Sequence, residues 1–80
     1  MNVTVEFTLY SSLTGTSESM LELPAGVTVA DLAGLIAERF PSLFPMAERA
    51  IYLVNHRTGT RDTRLNDGDQ VLMLQVLAGG

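Results

Sequence analysis

The chain ends in Ala78-Gly79-Gly80, and the group there that can do chemistry is the α-carboxylate of Gly80. Such a carboxylate has a pKa of about 3.3–3.7, so at neutral pH it is ionised and a poor electrophile until something activates it. Two glycines carry no side chains, so they can thread a narrow channel and bring the carboxylate to a buried active site. Extended backbone spans about 3.3–3.6 Å per residue, so Leu77 to Gly80 can project roughly 13 Å beyond a sheet. Gly80 is therefore the expected reacting residue, with Ala78 and Gly79 giving access.

Just before this tail lies Val71-Leu72-Met73-Leu74-Gln75-Val76-Leu77, which is apolar at nearly every position. A strand with one wet face alternates apolar and polar residues. If Val71 and Met73 face the core, Leu72, Leu74 and Val76 face the other way and form an exposed apolar patch, the kind of surface that docks a protein partner. The expected site is thus one device: Leu72, Leu74, Val76, Leu77, Ala78 and Gly79 dock and thread, and Gly80 reacts. A loop or a second copy covering the patch is the alternative.

Other chemistry-bearing residues fall into no constellation. His56 stands without a cysteine or a second histidine, so a surface role outweighs metal binding. Asp67 and Asp69 flank a glycine in a tight turn, which explains them without acid–base chemistry. Ser11, Ser12 and Ser17 lack histidine–acid partners for a hydrolase triad, and Gly15 and Gly34 do not make a phosphate loop. Met20, Met46 and Met73 suit packing. Arg57, Arg61 and Arg64 cluster around a hairpin, where charge guards a sheet edge. No metal and no permanently bound cofactor is expected.

The elements that must position the tail follow from periodicity. Asn2–Leu9 alternates as a half-buried strand. Tyr10–Ser19 reads as a loop and Met20–Leu23 as a second strand, stopped at Pro24. Thr28–Phe40 is the one clear helix, capped by Thr28 with Asp31 three residues on and striped by Val29, Leu32, Leu35, Ile36 and Phe40. Pro41 ends it. Pro41–Glu48 reads as irregular, with Leu43, Phe44 and Met46 under the core. Ala50–Val54 is a third strand, Asn55–Thr60 contains the turn signal Thr58-Gly59, Asp62–Leu65 is a short edge segment, Asn66–Asp69 a tight turn, and Gln70–Leu77 the last strand. One helix covers only one face of such a sheet. Residues 1–80 are expected to form a single domain with a flexible tail at 78–80.

Composition narrows the function. Hydrophobic residues make up 46% of the chain and charged residues 18%, a globular balance. The net charge is −4 with five arginines and no lysine, so no basic stripe is available for nucleic acid. No lysine side chain can attack an activated acyl group on the same molecule, although arginine bias in a GC-rich genome also accounts for this. There is no cysteine, hence no disulfide and no competing thiol. The N-terminal segment is neither a signal core nor a membrane span, and a cytoplasmic protein is expected.

The pieces Val3–Phe7, Ser12-Leu13-Thr14-Gly15, Val27–Leu32, Phe40-Pro41, Val54-Asn55, Leu65–Val71 and Ala78-Gly79-Gly80 together resemble the MoaD/ThiS family of ubiquitin-like sulfur carriers along the whole length. The Asp-Gly-Asp-x-Val turn with the terminal Gly-Gly is the most specific of them. The resemblance implies an α+β, β-grasp fold: a mixed four- to five-stranded sheet with one main helix packed on one face, and the last strand central and parallel to the first. It implies a carrier rather than an enzyme, at most the non-catalytic small subunit of a molybdopterin synthase. A ubiquitin-activating-enzyme-like adenylyltransferase would use ATP to adenylylate Gly80, and a sulfur donor would convert it to a thiocarboxylate. In the molybdopterin branch a synthase large subunit receives the tail, and Leu74 matches an apolar interface position. In the thiamine branch the sulfur enters the thiazole. Leu74-Gln75-Val76-Leu77 stands where the molybdopterin branch usually has paired prolines, while the chain length favours that branch. Conjugation of Gly80 to target lysines and a plain ubiquitin-like interaction module are the further alternatives.

Overall fold

The computed structural model describes residues 1–7 and 14–74. Expectations for Thr8, Leu9, the Tyr10–Leu13 part of the loop and Gln75–Gly80 fall outside the described residues. Among the described residues, five strands form one mixed sheet: β1 (Asn2–Glu6), β2 (Glu18–Glu22), β3 (Ile51–Val54), β4 (Arg57–Thr58) and β5 (Gln70–Leu74), in the spatial order β2-β1-β5-β3-β4. β5 lies beside β1 in parallel, with Val5 opposite Val71, and the other pairings are antiparallel. The expected β-grasp arrangement, with the last strand central and parallel to the first, is the one found.

The main helix, α1 (Val29–Arg39), starts where the sequence places its cap. Thr28 Oγ1 accepts from Asp31 N at 3.3 Å, and Asp31 Oδ2 accepts from Thr28 N at 3.0 Å. This reciprocal box satisfies two backbone donors that the first helical turn would leave unpaired. The buried face of α1 is Val29, Leu32, Ala33 and Ile36. Ala33 joins the stripe because it sits one turn beyond Val29, and Leu35 turns partly outward. Phe40 stacks edge-on to Phe7, with ring centroids 5.1 Å apart.

This face meets Val3, Val5, Leu21, Tyr52, Val71 and Met73 from the sheet in one buried cluster, with Phe7, Leu23, Leu43, Ala47 and Leu65. At about 25 cal/mol per Å² of apolar area removed from water, this burial is the main favourable term available to so short a chain.

The stretch after α1 is more ordered than its composition suggests. Pro41–Leu43 is a 3₁₀ turn and Met46–Arg49 a single α-helical turn, α2. Leu43 is buried as expected and Met46 half-buried, but Phe44 is 62% exposed. The 3₁₀ turn ends at Leu43 and the backbone becomes extended at Phe44, which points its ring to solvent. Tyr52, from β3, donates its hydroxyl to Ala47 O at 2.6 Å and fastens α2 to the sheet.

The turn lies within Asn55–Thr60 as expected, but ahead of the Thr58-Gly59 signal. Asn55 and His56 both have positive φ, 51° and 71°, as a tight two-residue hairpin requires, and they join β3 to β4. Gly59 serves a different need: a Cβ there would lie 3.2 Å from a Val54 methyl and 3.3 Å from a Val29 methyl. The expected edge segment at Asp62–Leu65 is likewise replaced by β4, and the later stretch keeps only an isolated bridge from Arg64 to Thr28.

Candidate functional site

The solvent-side face of the sheet follows from the register. Ile51 pairs with Leu74, and Leu53 with Leu72. Side chains directly opposite in a ladder share a face. Val71 and Met73 are fully buried under α1, so the four residues Ile51, Leu53, Leu72 and Leu74 lie together on the other side. Leu53, Leu72 and Leu74 are half-buried and Ile51 is 42% exposed. Glu6, opposite Leu72 on β1, and Glu18, opposite Glu6 on β2, extend this row with negative charge.

A shallow groove of about 50 Å³ crosses this patch, lined by Glu6, Leu53, His56, Gln70 and Leu72. His56 thus stands at the rim of the apolar face, exposed, in its hairpin turn.

The start of β5 is held in place by a polar clamp. Asn55 donates its backbone N–H to Gln70 O at 2.8 Å and receives Gln70 N on its side-chain Oδ1 at 3.0 Å. Its Nδ2 donates to Asp69 Oδ1 at 2.8 Å, and Asn66 N donates to Asp69 Oδ2 at 2.7 Å. Asp69 is 8% exposed, so these bonds replace the water it gives up. Asp67 Oδ1 accepts from Asn2 N at 2.6 Å, and Gly68, at φ 86°, donates its N–H to Asn2 O at 2.8 Å. Both aspartates therefore hold the turn that ties the start of β1 to the start of β5. They fix where β5 enters the sheet beside β1.

Of the residues expected at the site, Leu72 and Leu74 occupy one face of β5 beside each other. Val76, Leu77, Ala78, Gly79 and Gly80 lie outside the described residues. The sequence reading missed Ile51 and Leu53. The signal was present in Ile51-Tyr52-Leu53-Val54, which is as uniformly apolar as the last strand. The arginines do not gather into a site: Arg57 is on the edge strand β4, Arg64 is exposed, and Arg61 makes an exposed 3.9 Å ion pair with Glu48, a contact worth little in water. Among the described residues no cluster of His, Cys, Asp or Glu could hold a metal, and no helix is long and apolar enough to cross a membrane.

The profile of the ThiS family matches residues 7–80. Solved structures share the fold. A Pyrococcus furiosus protein assigned as molybdopterin converting factor subunit 1 is 28% identical, with a TM-score of 0.84 over 96% of this chain and 99% of that one. SAMP1 from Haloferax volcanii is 13% identical, with a TM-score of 0.80 over the whole of both chains. A complex of subunits 1 and 2 of molybdopterin-converting factor from Helicobacter pylori contains a chain 20% identical, with a TM-score of 0.68 over the whole of both.

Proposed function

The chain belongs to the ThiS family of small ubiquitin-like sulfur carriers, and from that membership we propose that it carries sulfur as a thiocarboxylate on Gly80 for molybdopterin assembly. The carboxylate oxygen of Gly80 attacks the α-phosphorus of ATP on an adenylyltransferase partner, and pyrophosphate leaves. A sulfur nucleophile at the sulfide level then attacks the acyl carbon, the bond to AMP breaks, and the thiocarboxylate remains. ATP and the sulfur donor are the partners' contribution; the carrier supplies the acyl group and the means of presenting it.

The observation that carries this reading is the apolar side of β5 that α1 leaves uncovered. Leu72 and Leu74 lie on that side at the end of the described part of a central strand, and Gln75–Gly80 follow them in the sequence. Docking of Ile51, Leu53, Leu72 and Leu74 on an enzyme leaves Val76 and Leu77 to continue the contact and Ala78 and Gly79 to thread. The molybdopterin branch is favoured by the resemblance to the Pyrococcus protein. The paired subunits of the Helicobacter complex supply the pattern for a synthase large subunit as acceptor.

The test is intact mass after incubation with ATP, an adenylyltransferase of this family and a sulfide donor. The expected result is a gain equal to sulfur minus oxygen, localised to Gly80 and absent from a chain lacking Gly79 and Gly80. No gain from an enzyme that loads another carrier would overturn the proposal. Conjugates bearing a Gly-Gly remnant on target lysines, without thiocarboxylate, would replace it with protein modification.

A further inference from the structure

The edge of the sheet away from β3 and β4 carries a second unused surface. β2 is an edge of the sheet among the described residues. Met1 and Leu23 exchange both backbone hydrogen bonds, at 2.8 and 2.7 Å. In an antiparallel ladder such pairs alternate with pairs that exchange none. Since Leu21 faces Val3 and Met20 faces Thr4, the backbone N–H and C=O groups of Met20 and Glu22 point away from β1. Met20 is also 66% exposed. Beside this edge, between β2 and α1, lies a groove of about 290 Å³, lined by Leu21, Leu23 and Leu35 with Glu22, Glu38 and Arg39 at its rim.

An open strand edge next to an apolar groove is built to receive another strand: the edge supplies backbone hydrogen bonds and the groove takes alternate side chains. Charge decides which strand. On the outward-facing side of β2, Glu18 and Glu22 flank Met20. Two copies pairing antiparallel through β2 about Met20 would set Glu18 of each directly opposite Glu22 of the other. Moving the centre of that pairing to Glu18 or Glu22 sets a glutamate opposite itself, and a centre at Ser19 or Leu21 sets Met20 opposite a glutamate, so no register gives these glutamates a cation. Like charges directly opposite destabilise a strand pair, whereas opposite charges stabilise it. The edge therefore resists a second copy and favours a cationic partner.

We propose that β2 and its groove bind an extended segment of a partner protein in which apolar residues alternate with lysine or arginine. The apolar set lies over Leu21, Leu23 and Leu35, and the basic set meets Glu18 and Glu22. This surface is distinct from the patch around Leu72, so a partner held here leaves the C-terminal route open.

The test uses the full chain and two blocked hexapeptides, one alternating lysine with valine and one alternating glutamate with valine, followed by NMR. The lysine peptide is expected to shift the amide signals of Met20 and Glu22 and slow their hydrogen exchange, and to bind about tenfold more tightly than the glutamate peptide. Met20→Pro removes an outward donor without touching the ladder to β1 and is expected to abolish binding. The double variant Glu18→Lys, Glu22→Lys, at two exposed positions, is expected to reverse the peptide preference, and it decides the matter if Met20→Pro does not fold. Equal binding of both peptides, no binding of the lysine peptide, shifts centred on Leu53 and Leu72, or an unchanged preference in the double variant would overturn the proposal. Shifts at Met20 that depend on protein concentration without peptide would point to a second copy instead, and would also overturn it.

Discussion

Val71 and Met73 are fully buried, whereas Leu72 and Leu74, which alternate with them on the same strand, are half-buried. Side-chain chemistry barely differs between the two pairs. What differs is the cover: Leu32, Ala33 and Ile36 of α1 close the first face, and no helix among the described residues covers the second. The inner pair stabilises the domain by leaving water when the chain folds. The outer pair keeps part of that gain unspent until a partner arrives, which is how an apolar face acts as a docking surface. Two faces of one strand thus separate folding from binding, and substitutions on each face should separate the two quantities.

The largest effect on stability is expected from Met73→Ala. Removing a fully buried methionine side chain costs about 2–5 kcal/mol, from lost transfer energy and the cavity left behind. A domain of this size has a total stability of about 4–12 kcal/mol, so urea denaturation should show a large fall in midpoint with an unchanged slope. Docking measured on the fraction that remains folded should be unaltered. A loss of docking out of proportion to unfolding would break the division between the faces.

The reverse result is expected from Leu72→Thr combined with Leu53→Thr, the cross-strand pair at the centre of the outer patch. Threonine suits a strand, and both positions are only half-buried, so folding stability should change by no more than about 1 kcal/mol. A pair at the centre of an interface is the usual place for a hot spot of about 2 kcal/mol or more, equivalent to about thirtyfold in affinity. Titration against the adenylyltransferase measures this directly. Unchanged affinity with unchanged stability would mean that the patch is not the docking face.

The elements whose signals are local were the legible ones. The alternation of Val3 and Val5, the Thr28–Asp31 cap, the Asn66–Asp69 turn and the doubly apolar last strand all depend on neighbours in sequence. What escaped depends on neighbours in space. Gly59 looks like a turn residue, but it is small because Val54 and Val29 press against it. The hairpin turn uses Asn55 and His56, and Asn55 is held in its positive-φ conformation while its amide bonds across to Asp69 and Gln70. Phe44 is expected under the core with Leu43 and Met46, yet it faces solvent while Leu43 is buried. Ile51 and Leu53 could have been named once Leu72 and Leu74 were, but their pairing needs a register that no local pattern specifies. The Gly79-Gly80 end lies outside the described residues.

The smallest effect sharpens the comparison from the side of the cover. Thr28 lies outside β5 and caps the helix that lies over Val71 and Met73. In Thr28→Ala the Asp31 N–H loses its acceptor, while Asp31 can still accept from the backbone N–H of residue 28. Cap removal of this kind costs about 0.5–2 kcal/mol, typically about 1. Thr28→Ser keeps the hydroxyl and should lie within a few tenths of a kcal/mol of the parent. Because the cost falls on α1 alone, docking affinity per folded molecule should be equal in all three proteins. Hydrogen exchange should locate the loosening in the first turn of α1 and leave the amides of Leu72 and Leu53 as protected as before, relative to global unfolding. If Thr28→Ala instead weakened docking while Thr28→Ser did not, the two faces of the sheet would be coupled through the helix, and the division between folding and binding would fail at its least direct point.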